Sequence, residues 1–317
     1  MAKRAVLGID IGGTKTLCAL VNESFRIVET VKFKTAPAEG KDVFVKNLLE
    51  AARSLARRAN VDRLSLIGAG AAIAGRVDFK KRVIEAAPNI LFLEGFGFGR
   101  AFRKALHLDC VVGNDVQLAL YAEHQLGAAI GKENVLGVFF GTGVGGAAVI
   151  NGRVYRGSNG HGGQVGAVLA SSIGGAEALD RIASKAAIAG AALALAVKQW
   201  APNLYKEVGT DISKVSWGAL ARARAKGDRH IEELVRAHMK AAGVALSSVV
   251  NFLNPEMLVL GGGLTEEMPR LVVSEVESGL RRYLIPEVAR VLKVKTAKFK
   301  NNAGAIGAAK LAFNKLG

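Results

Sequence analysis

VLGIDIGGTKT, residues Val6 to Thr16, decides how the chain is read. A run of apolar residues meets Asp10, then Gly12 and Gly13, then Thr14 and Thr16 on either side of Lys15. Strand-forming residues running into glycines predict a buried strand that ends in a tight polar turn. An acid there, beside residues without side chains, points to something charged that approaches the backbone closely.

Working outward, Leu17 to Val21 and Ile27 to Lys34 read as two further strands, and Asp42 to Ala59 carries apolar residues at helical spacing. A strand at Leu64 to Ala72, a turn at Gly75 and a strand at Asp109 to Val112 follow. The pattern then returns: Val135 to Phe140 runs into glycines, a strand follows at Ala147 to Ile150, and VLGVFFGTG stands beside VLGIDIGGT. The rest is mostly helical, with segments at Ala176 to Lys198, Trp217 to Lys226 and about His230 to Leu253. Proline disfavours helix in the residue before it, so Asn254-Pro255 ends the last of these. Met257 to Leu260 is a strand running into Gly261, Gly262 and Gly263, and Ala303 to Asn314 closes the chain as a helix of small residues. The order predicts an α/β protein of two similar halves around a cleft. Residues 1–115, completed by the closing helix at about 303–317, form the smaller domain and 116–302 the larger.

With 317 residues, half of them hydrophobic, the chain can bury a substantial core, which excludes disorder. No apolar stretch is both long enough and free enough of glycine to make a spanning helix, and Asp10 breaks the only run that resembles a leader. Neither of the two cysteines, Cys18 and Cys110, has a second cysteine or a histidine at metal-ligand spacing. They read as small core residues of a protein in a reducing compartment, and a cytoplasmic location is expected. The formal charge of +16 admits nucleic acid, an anionic membrane or an anionic small substrate as partner. Its densest groups, Lys80-Lys81-Arg82, Arg222 to Arg229 and Lys293 to Lys300, lack interleaved aromatics, so no base-stacking platform is built and neither nucleic acid nor membrane is expected. They read as solvated faces.

The glycine motifs must be tested against nucleotide signatures. GTGVGG, Gly141 to Gly146, has a dinucleotide spacing but leads into the strand-like AAVING and not a helix, so the Rossmann reading fails. Gly8 to Thr16 lacks the order of a Walker A loop. Two β-hairpins remain, with glycine turns whose bare amides can meet phosphate oxygens. In VVGNDVQLALYAEHQLG, Asp115 opens an amphipathic helix. It reads either as a helix cap or as a base for an incoming hydroxyl. Phosphoryl transfer needs such a base, a metal on the phosphates and donors around the transferring group, and Asp10 could hold Mg²⁺ through water.

The succession DIGGT, GND before a helix, FGTGVGGAAVINGRVYRGSNGHGGQVG and PEMLVLGGGL resembles the ROK family of sugar kinases, within the group sharing the actin-like, ribonuclease H-like ATPase fold. The likeness runs from Val6 to the closing GAIGAAKLA. It implies that Asp10, Gly12, Gly13, Thr14 and Lys15 form the first phosphate loop. Gly141, Thr142, Gly143, Gly145 and Gly146 form the second, and Gly261, Gly262 and Gly263 the adenosine-side turn. By the same resemblance Asp115 is the catalytic base, and Asn114, Asn89 and Gly75 belong to the sugar site.

The departures from the family pattern are specific. Where relatives commonly read G-E-x-G-H, this chain has GQVGA, so Gln164 stands for a sugar-binding glutamate and Ala167 for a histidine that contacts sugar and zinc. The cysteine-rich zinc loop is missing from SSIGGAEALDRIAS, so no structural zinc is expected, and His161 reads as an ordinary polar contact. Asp180 aligns with the glutamate after that loop and is expected at the sugar. The resemblance implies an ATP- and Mg²⁺-dependent hexokinase of the glucokinase type, and a homodimer. Alternatives are polyphosphate as donor, an N-acetylhexosamine as acceptor, or a sugar-binding protein without catalysis. The family's repressors carry an added N-terminal DNA-binding region, for which a strand starting at residue 5 or 6 leaves no room.

Overall fold

A computed structural model of the chain describes residues 3–78, 81–87, 90–172 and 175–317. In chain order its strands are β1 (Arg4–Ile11), β2 (Lys15–Asn22), β3 (Ile27–Lys34), β4 (Ser65–Ile73), β5 (Arg76–Asp78), β6 (Val83–Ala86) and β7 (Cys110–Asn114). There follow β8 (Val135–Phe140), β9 (Val144–Ile150), β10 (Arg153–Tyr155), β11 (Leu169–Ser172), β12 (Gly175–Ala178), β13 (Met257–Gly261) and β14 (Lys293–Thr296). The α-helices are α1 (Gly40–Val61), α2 (Phe98–Leu106), α3 (Asp115–Leu126), α4 (Leu179–Ala183), α5 (Lys185–Val197) and α6 (Pro202–Val208). They continue as α7 (Trp217–Ala225), α8 (Arg229–Leu253), α9 (Gly263–Glu267), α10 (Pro269–Arg281), α11 (Pro286–Val291) and α12 (Ala303–Leu316).

The chain divides into two compact units. The first comprises 1–127, 156–162 and 301–317, and the second 128–155 and 163–300. The helix after Asp115, expected with the larger domain, belongs to the first unit. It packs on α12 so closely that a Cβ at Gly307 would lie 1.9 Å from the carbonyl oxygen of Leu118.

In the first unit a five-stranded sheet runs β3-β2-β1-β4-β7, with β1, β2 and β3 antiparallel and β4 and β7 parallel to β1. Side chains alternate across a strand, so β1 serves two faces at once. Leu7, Ile9 and Ile11 pack with Phe44, Leu48 and Leu55 of α1 and Phe98 and Phe102 of α2. Val6 packs on the other face with Ala305, Ala309 and Ala312 of α12. Two glycines on that face set the spacing: a Cβ at Gly8 would meet the Ala305 oxygen at 2.2 Å, and one at Gly70 the Ala308 oxygen at 2.1 Å. The small residues of α12 and the glycines facing it therefore bring helix backbone against sheet backbone.

The second unit repeats the plan. Its sheet runs β10-β9-β8-β13-β14, with β8, β9 and β10 antiparallel and β13 and β14 parallel to β8. Leu136, Val138 and Phe140 pack into a core with α5, α7, α8 and α10. The helix expected over Ala176 to Lys198 is broken. Residues from Gly175 to Ala178 form β12, α4 follows, and Ser184 is extended at φ −75°, ψ 162° before α5 begins. The Ser184 side chain accepts from Ala187 N–H and caps α5, a stop that an alanine-rich, helix-favouring sequence conceals. The second hairpin strand begins at Val144, so Gly145 and Gly146 lie in β9 opposite Phe139 and Val138, outside the turn. Among the described residues no single helix is long and apolar enough to cross a membrane.

Candidate active site

Strand register brings two acids together in the first unit. Asp10 of β1 lies level with Ala72 of β4, and Ala72 with Gly113 of β7. Two strand spacings, about 10 Å, separate the backbones of Asp10 and Gly113. Asp115 follows two residues later, at the carboxyl end of the parallel strands, where open α/β sheets place their ligands. Asp10 projects to the α12 face, and its carboxylate rests on Gly304 in the first turn of that helix, where a Cβ would come within 2.6 Å of Oδ2. Gly304 is a residue the motif reading missed; the only signal was a glycine-rich helix start, NAGAIG.

Asp115 is not the cap of α3. Asn114 is: its Oδ1 accepts from Gln117 N–H at 3.0 Å, while its Nδ2 donates to Gly75 O at 3.1 Å and to Asp115 Oδ1 at 2.9 Å. Both amide hydrogens are thus in use, and Asn114 fixes the base candidate to the turn after β4. Capping by the neighbour leaves the Asp115 carboxylate available for chemistry.

Burial raises Asp115 to about 6, against hydrogen bonds from the Val116 amide, its own amide and Asn114. Burial raises Asp10 further, to about 7, reinforced by the nearby Asp115 charge and opposed by Lys15. Each acid therefore exchanges its proton near neutrality, as a proton acceptor should. The first turn is stapled by the residue that follows β3: Thr35 Oγ1 donates to Gly12 O at 2.7 Å and Thr35 N–H to Thr14 O at 3.0 Å. Thr16 Oγ1 lies 3.1 Å from Thr35 Oγ1, and because Thr35 already donates, Thr16 is the donor there. Both threonines are buried. Nothing in the motif pointed to Thr35.

In the second unit the turn between β8 and β9 is closed by Gly141 N–H to Gly143 O at 2.8 Å. Asp180 at the start of α4 accepts from Val144 N–H at 2.6 Å, and a Cβ at Gly143 would stand 2.7 Å from that oxygen. The Asp180 carboxylate, expected at the sugar, thus holds the glycine turn in shape. Gly141 O accepts from Lys185 N–H in the first turn of α5. After β13, Gly262 takes φ +85°, and a Cβ there would meet Phe140 backbone at 2.4 Å. Gly261 faces the Phe139 ring and Gly263 the Trp217 indole, each without room for a Cβ.

Gln164 is exposed just before a short 3₁₀ turn, Val165–Ala167. His161, in the first unit, meets Arg76 Nη1 at 3.2 Å through Nε2. Arginine cannot accept, so Nε2 is the acceptor and the ring proton sits on Nδ1. Asn89 lies outside the described residues. Both cysteines are buried, and burial pushes the Cys18 thiol up to about 12 and Cys110 higher still. Among the described residues no three His, Cys, Asp or Glu side chains cluster as a metal cage. Asp10 alone suits Mg²⁺, which keeps several waters and takes one or two carboxylates plus substrate phosphates.

With the geometry in hand, the known proteins that resemble the chain can be compared. It matches the ROK family over residues 6–315. A glucokinase of Halalkalibacterium halodurans is 27% identical over 317 residues, covering 97% of this chain and 94% of the relative. The crystal structure of a ROK family glucokinase from Streptomyces griseus, in complex with glucose and AMPPNP, superposes with a TM-score of 0.83 at 27% identity, covering 98% of this chain and 99% of the other. The ROK hexokinase of Thermus thermophilus gives 0.76 at 30% identity, covering 98% of each chain. The two repeated sheets are those of the actin-like ATPase fold found in these ROK structures.

Proposed function

Since the chain belongs to the ROK family of sugar kinases over nearly its whole length, we propose that it transfers the γ-phosphate of ATP to the 6-hydroxyl of a hexose, as a glucokinase-type enzyme. The observation that carries this reading is the pairing of Asp10 and Asp115 at one end of the parallel strands, each raised to near-neutral titration.

Asp115 takes the proton of the sugar hydroxyl through its carboxylate. The freed oxygen bonds to the γ-phosphorus, the bond to the β–γ bridging oxygen breaks, and ADP leaves with that electron pair. Asn114 holds Asp115 through the 2.9 Å contact and the cap of α3, so the acceptor stays aimed while it changes charge. The amides of the Gly12 turn and of the Gly141 turn supply donors to phosphate oxygens, and Gly261 to Gly263 let the backbone approach the nucleotide. Mg²⁺, when bound, neutralises charge on the phosphates, and Asp10 is the residue to hold it through water.

On the sugar side, the exposed Gln164 offers an acceptor and two donors where a glutamate would offer charge. Recognition there is accordingly weaker or different from a glutamate-bearing site, and the preferred hexose is open to test. The experiment is sugar-dependent ADP release measured across glucose, mannose, fructose, allose and N-acetylhexosamines, with polyphosphate as a second donor. Release with at least one neutral hexose and ATP supports the reading. Turnover with polyphosphate alone, or with N-acetylhexosamines alone, would replace it with the corresponding kinase. Absence of transfer to any sugar would reduce the protein to a binding function.

A further inference from the structure

The basic run at Lys81-Arg82 is not simply a solvated face. It lines a cavity of about 630 Å³ in the first unit together with Val83, Gly97, Gly99, Arg100, Arg103 and Lys104. Five of these eight residues are cationic, and none is acidic or aromatic. Sequence separation hides the grouping. Lys81 and Arg82 come from the turn before β6, and the other three from α2, where positions 100, 103 and 104 share one helix face. A bridge between Val83 and Gly97 holds the two segments together.

The acids in reach compensate this charge only in part. Asp109 pairs with Arg103 and lies 3.7 Å from Arg82, and Asp78 lies 3.7 Å from Lys81. Arg100 and Lys104 have no acidic partner among the described residues. Arg82 also sits at φ +58°, a left-handed backbone that a non-glycine residue adopts at a cost. Its side chain passes over Gly99, where a Cβ would stand 3.5 Å from Arg82 Cδ. Like charges held around a concavity repel one another, and the arrangement gains most when an anion enters.

We propose that this cavity binds a compact anion carrying several phosphate groups and no aromatic base, at a site separate from the catalytic acids. Its volume suits a small ligand and not a macromolecular groove. Guanidinium forks match phosphate oxygens in pairs. Among the described residues of the lining there is no aromatic, and so no stacking surface of the kind a nucleotide base would use. Separation from Asp115 follows from β7, which begins just after Asp109 and, at about 3.3 Å per residue, spans roughly 17 Å.

Calorimetric titration of the full chain with tripolyphosphate, in the presence of a saturating non-hydrolysable ATP analogue, is the test. One-site binding that survives the nucleotide is expected, with inorganic phosphate much weaker. Removing two charges in Arg100→Gln/Lys104→Gln should weaken it by about tenfold or more. Arg53→Gln, on the exposed side of α1, should leave it unchanged. Asp109→Asn frees two guanidiniums and should tighten binding, a gain that misfolding would not produce. A phosphorylated polyol titrated in parallel distinguishes inorganic from organic sources of the same chemistry. Complete loss of tripolyphosphate binding when nucleotide is present would assign it to the donor loops and overturn the proposal, and so would an equal loss in Arg53→Gln.

Discussion

The two sheets have the same strand order and the same mixture of antiparallel and parallel pairing, yet they differ at one decisive place. Setting VLGIDIGGT against VLGVFFGTG puts Phe139 where the first sheet has Asp10. Each is backed by a glycine, Gly304 behind Asp10 and Gly261 behind Phe139. In the first sheet this space admits a carboxylate against a helix start, and in the second an apolar ring against a strand end. The second turn has no acid of its own strand; Asp180 comes from α4 and is committed to Val144 N–H. On the proposed function, the repeated frame would carry the proton and metal chemistry in one copy and serve in the other as a scaffold for bare amides.

The sharpest way to break this asymmetry is Asp115→Asn. The amide keeps the shape but cannot take a proton, so kcat should fall by about 10²–10⁴-fold with little change in KM for ATP. Unchanged turnover in the coupled assay would move the base elsewhere. In the wild type, Asp115 must be ionised to act, so kcat/KM should climb as pH rises through about 6. Because Asp10 titrates beside it at about 7, the rise should be broad, belonging to the pair and not to one group. Any residual rate of the variant should lose the part of that limb that belongs to Asp115 and keep the part that belongs to Asp10.

Next in size is Gly304→Ala. The added methyl would lie 2.6 Å from Asp10 Oδ2, so the carboxylate must move, and a displacement near 1 Å can cost up to about a hundredfold in rate. The matching change in the other sheet, Gly261→Ala, presses on the Phe139 ring at 2.5 Å. A ring can swing, so the kcat loss there should be smaller, with KM for ATP taking the larger share. Equal effects at the two sites would mean that the glycines serve packing alone.

How much of this was legible follows from what each residue depends on. The hairpin strands, α1 and α8 have periodicities that run long enough to be read along the chain; Asp10 and the glycine turns sit at the ends of those strands, and Asp115 opens α3 directly after β7. The break at Ser184 escaped because alanine favours helix on both sides of it, and one extended serine carries no composition signal. Gly304 and Thr35 act on residues 294 and 23 positions away, through a helix laid across the sheet and a strand end folded over a turn. Such roles depend on the register between distant elements, which no local pattern encodes. The cationic cavity was half visible as Lys81-Arg82, but the residues of α2 that complete it are spread at helical spacing and never form a run.

Stability offers a gentler probe of the same asymmetry. A carboxylate whose folded pKa lies above its unfolded value holds its proton more tightly when folded. Its stabilising share is therefore full below the unfolded pKa, near 4, and is lost as pH rises through the folded value, about 7 for Asp10. Asp10→Asn removes the charge, so the ligand-free variant should melt higher than wild type at pH 8, by about 2 °C or more, and should show no gain at pH 4. Thermal melts at the two pH values check this, and a lower midpoint at pH 8 would show that the ionised acid is compensated in the fold. Phe139→Leu, at the corresponding position of the second sheet, should give a difference from wild type that does not vary with pH.

The smallest expected effect lies in the staple of the first turn. Thr35→Val keeps the shape but removes the donor to Gly12 O and the acceptor for Thr16, both buried. Two polar atoms are left without these partners, at a cost of about 1–3 kcal/mol, which lowers the melting midpoint by several degrees. Its effect on catalysis should appear as a several-fold rise in KM for ATP, since the Gly12 to Thr14 turn would lose its anchor while Asp115 stays fixed by Asn114. In the second unit the turn is held by a charged acceptor, Asp180, in place of a hydroxyl. Asp180→Ala should therefore raise the same KM further than Thr35→Val does, and the reverse order would show that the first turn, despite its weaker tether, carries more of the phosphate contact.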